Sequence, residues 1–169
     1  MVKKRENPPP RDRNRDGRAE QSRPRDSLGR PLPYGQVGVP ALPDPLPDDA
    51  DSAVVLAQKL LDEGLPFQAH EVFEEMWKSC PAEQRPGWQG LAQLAVAITH
   101  NHRGNIRGAR LLLDKAKANL TAGVSALPTP VDQSGILAWL DSAQYDLNKK
   151  GTVLQPLKLV SETFTASDN

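Results

Sequence analysis

Pro66-Phe67-Gln68-Ala69-His70-Glu71-Val72-Phe73-Glu74-Glu75-Met76-Trp77 is the stretch that decides the fold class, because its apolar residues recur at helical spacing. At about 100° per residue, Ala69, Val72, Phe73, Met76 and Trp77 fill one continuous apolar arc. His70 and Glu74 lie on the border of that arc, one turn apart, while Gln68, Glu71, Glu75 and Lys78 face away from it. Pro66 opens the helix where its missing N–H costs nothing, and Cys80-Pro81 closes it.

The same period continues on both sides. Upstream, Ser52 is expected to cap a helix with Val54, Val55, Leu56, Leu60 and Leu61 on its apolar side, ended by Gly64. Downstream, a third helix runs from about Pro86 to Arg103 and stops at Gly104. Asn105 caps a fourth, which buries Ala109, Leu112, Leu113, Ala116 and Leu120 and ends at Gly123. After the turn Leu127-Pro-Thr-Pro130, a fifth spans about Asp132 to Lys149 and packs through Ile136, Leu137, Leu140, Ala143 and Leu147. No useful length alternates with period two, and the connections are short. The expected fold is therefore all-α, an up-and-down helical bundle of about five helices. No repeat at the period of a tetratricopeptide solenoid is visible.

The 169 residues divide by composition into three parts. Ten of the sixteen prolines precede residue 48, in a stretch nearly free of large apolar residues, so residues 1–50 read as a disordered Arg/Pro-rich arm. Residues 51–150 form the bundle, and 151–169 a tail whose Val153, Leu154, Leu157, Leu159 and Val160 are expected to dock. The net charge of zero hides an asymmetry: residues 1–30 carry ten basic and five acidic side chains, and the body is correspondingly acidic. A basic arm of this kind is either a solvated linker or a contact for nucleic acid or another anionic partner. Cys80 is the one cysteine, which excludes an intramolecular disulfide and a thiolate-rich zinc site, and suits the cytoplasm. Glu6-Asn7-Pro8 follows the basic start where the apolar part of a signal peptide would be. The most apolar run, Leu91 to Ile98, is too short to cross a membrane, so no membrane partner is expected.

The third helix carries Gln89, Gln93 and His100 in one polar stripe beside its apolar Leu91, Leu94, Ala95 and Ile98. An antiparallel hairpin centred near Ala82 puts Trp77 level with Trp88, Glu74 with Leu91 and His70 with Ala95, with Gln93 between the last two levels. Three readings of the cluster follow: a satisfied hydrogen-bond network, a pocket for a small molecule or peptide, and a metal or acid–base site. His70-Glu71-Val-Phe-Glu74 is close to the zinc-protease pattern His-Glu-x-x-His, with Glu74 in place of the second histidine. A metal set would be His70, Glu74 and His100, although His100 lies further along the axis and Glu71, as the base, faces the exposed side. Cys80 at a helix C-terminus is expected to be inert. No cofactor is expected and no catalytic residue is assigned.

At Phe67-x-x-His70-Glu71-x-x-Glu74-x-x-Trp77, Gln89-Gly90-Leu91-x-Gln93-x-Ala95, His100 and Gly104-Asn105, followed by Ala109, Leu112 and Ala116, the chain resembles the domain of unknown function 309 family of small all-helical bacterial proteins. The resemblance covers about residues 52–122. The arm, with Arg30-Pro-Leu-Pro-Tyr34-Gly, is similar to the extension of actinobacterial members. The resemblance implies a helical fold, brings no established activity, and marks His70, Glu71, Glu74, Trp77, Gln89, Gly90, Gln93 and His100. The expectation is a cytoplasmic, non-enzymatic binding or accessory module with a protein or small-molecule partner. The alternative is a metal-dependent hydrolase using His70, Glu74 and His100.

Overall fold

The computed structural model describes residues 23–122, 127, 130–149 and 152–160. Five α-helices form among them: α1 (Ala50–Asp62), α2 (Pro66–Ser79), α3 (Arg85–His102), α4 (Ile106–Ala122) and α5 (Gln133–Asp146), with a 3-10 turn, Ala82–Gln84, between α2 and α3. The described residues contain no strand beyond two isolated bridges, Arg25 with Pro31 and Val131 with Val160. Each helix packs on the next in the chain, and α3 lies between α2 and α4. This is the all-α helical bundle that the periodicity implies.

Local chemistry sets most of the helix ends. Gly64 and Gly104, with φ of +73° and +76°, follow α1 and α3, and Asn105 caps α4 by accepting from the Gly108 N–H at 3.0 Å. One cap differs from the expectation. Asp49, not Ser52, caps α1, its carboxylate accepting from the Ser52 N–H at 2.8 Å. Both residues are good caps, and the one three positions earlier starts the helix. The expected α4 end at Gly123, and Pro128 and Thr129 of the following turn, lie outside the described residues.

The core is continuous. Val54 and Leu60 of α1 join Ala69, Val72 and Phe73 of α2, Trp88, Leu91 and Leu94 of α3, Leu113 and Leu120 of α4, and Ile136 and Leu140 of α5. The tail completes it, with Leu154, Leu157 and Leu159 buried. Three polar side chains clip the tail backbone in place. Asn101 donates to the Thr152 carbonyl at 3.0 Å and accepts from the Leu154 N–H at 2.9 Å. Gln58 donates to the Leu157 carbonyl at 3.2 Å and accepts from the Leu159 N–H at 2.6 Å. The Trp139 indole donates to the Gln155 carbonyl at 3.0 Å. These bonds give tail backbone groups partners where no helix supplies them. Residues 161–169 lie outside the described residues.

Within the expected arm, residues 1–22 also lie outside the described residues, whereas residues 23–49 lie on the bundle. Their first half is a small closed loop. Asp26 accepts from the Leu28 and Arg30 N–H groups at 3.0 and 2.8 Å, and the Leu32 N–H returns to the Pro24 carbonyl at 2.7 Å. Gly29 (φ +75°) presses on the Phe67 ring, where a Cβ would stand 2.3 Å from Cγ. The Arg25 guanidinium lies 5.4 Å from the centre of the same ring. Gln68 donates to the Pro40 carbonyl at 2.6 Å, and Arg103 donates to the Leu28 carbonyl. This strap corrects two expectations for α2: Gln68 is buried at 7% exposure and Glu71 is half-buried, although the helical wheel turns both outward.

Candidate functional site

Along the border of α2, His70, Glu74 and Lys78 stack at intervals of one turn. His70 Nε2 faces Glu74 Oε2 at 3.5 Å, and Lys78 Nζ reaches Glu74 Oε1 at 3.0 Å. His70 retains 22% exposure and Glu74 39%. Burial holds the imidazole below the ordinary histidine range; Glu74 works against that shift, and Lys78 adds to it. Its Nδ1 is buried without a hydrogen-bond partner among the described residues, and the Phe67 ring lies 5.8 Å away, tilted by 43°. Burial thus favours the neutral imidazole. A buried lone pair is cheaper there than a buried, unpaired N–H⁺.

Trp77 departs from the apolar arc. It is 36% exposed, against 1% for Phe73, because it stands at the mouth of a groove between α2 and α3. His70, Glu74 and Trp77 from α2 and Gln89, Ala92, Gln93 and Val96 from α3 line this groove, whose volume is about 280 Å³. The hairpin register derived from the sequence is thus present, and it brings His70, Glu74, Trp77, Gln89 and Gln93, five of the residues that the resemblance marks, to one cavity. Gln89 and Gln93 are fixed from behind. Asn119 Nδ2 on α4 donates to Gln93 Oε1 at 3.0 Å and to Gln89 Oε1 at 3.3 Å. Gly90 makes this approach possible, because a Cβ there would stand 2.7 Å from Leu120 Cγ and 3.3 Å from the Ala116 carbonyl oxygen.

Besides Gly90, which faces α4, two of the marked residues lie outside the groove. Glu71 faces the opposite side of α2, toward a cavity of about 590 Å³ beneath the strap that is also bordered by Arg25, Asp26, Phe67 and Glu75. Burial raises the Glu71 carboxyl above the usual range, Arg25 opposes that shift and Glu74 reinforces it. Glu74 borders both cavities. His100 sits in the last turn of α3 with its Nδ1 2.7 Å from Asn105 Nδ2 and takes no part in lining the groove. The set His70, Glu74 and His100 is accordingly not assembled: among the described residues no group of three His, Cys, Asp or Glu side chains is placed to hold a metal ion. Cys80 is buried, its thiol pushed up by burial and in contact with the Trp77 carbonyl at 3.5 Å.

Asn119 and Arg25 are the residues that sequence reasoning missed. For Asn119 a signal exists, since a hairpin centred on Gly104 puts it level with Gln89. For Arg25 there is none, because the strap has no periodicity from which a contact can be read.

A helical bundle with a polar groove between its second and third helices is the class that fold and geometry define. Residues 54–112 match the model of the family described as "Domain of unknown function (DUF309)", so the resemblance to that family is borne out. Over 48 residues the chain is 46% identical to the uncharacterized protein YpuF of Bacillus subtilis (strain 168). That segment is 28% of this chain and 28% of the relative's length. No solved structure matches the chain. No helix among the described residues is long and apolar enough to cross a membrane.

Proposed function

We propose that this chain is a non-enzymatic binding module, acting in the cytoplasm, whose ligand site is the α2–α3 groove. Residues 51–150 are its binding domain; residues 1–50 and the 151–169 tail are appendages to it. The observation that carries the reading is the large, partly exposed Trp77 standing in a concave site beside His70, Glu74 and Gln93. An aromatic wall with a few convergent polar groups is the usual composition of a small-molecule site. A side chain kept only for packing would gain more by full burial.

The test is a fragment titration of the full chain followed by amide and indole resonances. Binding of aromatic fragments is expected to shift the Trp77 indole and the Gln93 side chain together. Trp77→Ala is expected to abolish those shifts while the thermal melt keeps its cooperativity. Shifts scattered over the surface, or unchanged in Trp77→Ala, would defeat the reading.

A further inference from the structure

Asn119 gives the groove a direction. A glutamine carboxamide has an acceptor end and a donor end, and both groove glutamines turn their oxygen toward the Asn119 amide on the far side of α3. With the oxygens so engaged, each carboxamide has its NH2 end to offer. The other polar groups of the groove are already engaged or turned inward: Glu74 faces His70 Nε2 and Lys78 Nζ, and His70 Nδ1 is buried. What the groove offers a visitor is therefore a pair of N–H donors beside the apolar surfaces of Trp77, Ala92 and Val96.

We infer that the groove selects a small neutral molecule that presents a carbonyl acceptor on a flat apolar body, the carbonyl meeting Gln89 and Gln93 and the body lying on Trp77. This rests on the groove being a ligand site and names what that site takes. The volume of about 280 Å³ restricts the occupant to a small molecule. Glu74, on the groove wall at 39% exposure, disfavours a carboxylate in the same position. Asn119 does not line the groove. Its part is positional, setting which end of each glutamine faces the ligand.

The experiment compares two neutral aromatic probes on the full chain, N,N-dimethylbenzamide, which only accepts, and indole, whose N–H donates. Trp77 and glutamine side-chain resonances report binding. The native chain is expected to hold the benzamide about fivefold more tightly, roughly the factor of one neutral hydrogen bond. In Asn119→Asp the new carboxylate accepts from both glutamines, their oxygens turn to the groove, and the preference is expected to invert. In Asn119→Ala it is expected to vanish. Binding of both probes without preference in the native chain, or a preference that Asn119→Asp and Asn119→Ala leave unchanged, would overturn the inference while leaving the groove a site. If neither probe moves the Trp77 and glutamine signals, the groove reading falls and this inference with it. Thermal melts of both variants establish that each is folded when it is scored.

Discussion

Gly90 and Leu120 are packed so closely that a Cβ on Gly90 would stand 2.7 Å from Leu120 Cγ. Leu120 is fully buried, and the carbonyl oxygen of Ala116 lies on the same side at 3.3 Å. Relief would require the two helices to separate or Leu120 to leave its place in the core. Gly90→Ala is expected to cost about 1–3 kcal/mol, as for other overpacked sites, in spite of the better helix propensity of alanine. Chemical denaturation measures it. Separation of the helices would also move Asn119 away from Gln89 and Gln93, so their side-chain resonances should shift in the same variant.

Along α2 the apolar arc divides into a buried part and a groove edge. Phe73 is 1% exposed and meets the Trp88 ring at 6.3 Å, so Phe73→Ala should cost about 3–5 kcal/mol. Trp77→Ala removes a side chain that is already 36% exposed and should cost clearly less, about 1–2 kcal/mol. Glu75→Ala should be nearly silent. Urea melts of the three variants would contradict this division if Trp77 proved as costly as Phe73.

The difference between these two aromatics shows what the sequence could convey. Helical period locates a residue within an arc to about one position, which suffices for Phe73 at the middle and not for Trp77 at the edge. Hairpin geometry then carried His70, Glu74 and Gln93 to one place, because short connections leave antiparallel neighbours little freedom of register. His100 fell outside for the same reason: it sits beyond the level at which α2 begins. The strap was illegible. Pro-rich sequence without period reads as solvated chain, and the contacts of Gly29 with Phe67 and of Gln68 with the Pro40 carbonyl depend on backbone geometry that composition does not encode. The helical wheel alone consequently turns Gln68 and Glu71 outward.

The depressed His70 imidazole ties stability to pH with a definite sign. Its charged form is favoured more in the unfolded chain, where the ordinary value near 6.5 applies, than in the fold. Its contribution is therefore fully present above about pH 6.5 and is lost as pH falls through the lower folded-state value. Glu71, raised by burial, has the opposite sign and acts in the carboxylate range, where acidification favours the folded state. Comparison with His70→Gln isolates the histidine. Between pH 7 and 5 the native chain should lose more stability than the variant in parallel denaturant titrations; equal slopes would show that burial of His70 does not govern its ionisation.

The strap offers a test in which two glycines of like backbone are set against each other. Gly29 and Gly35 have φ of +75° and +83°, so alanine is strained at either by roughly 1 kcal/mol or somewhat more. Around Gly35 a new Cβ would meet nothing within 4 Å, whereas at Gly29 it would enter the Phe67 ring at 2.3 Å. Gly29→Ala must therefore displace either the ring or the loop, and the loop is the cheaper, since its backbone bonds run within residues 24–39 and it can lift as a unit. The expected result is a small loss of global stability in both variants. Trypsin should cut after Arg25, which unlike Arg30 is not followed by proline, much faster in Gly29→Ala alone, followed by mass spectrometry over time. Equal cutting in the two variants would mean that the contact with Phe67 does not seat the strap on α2.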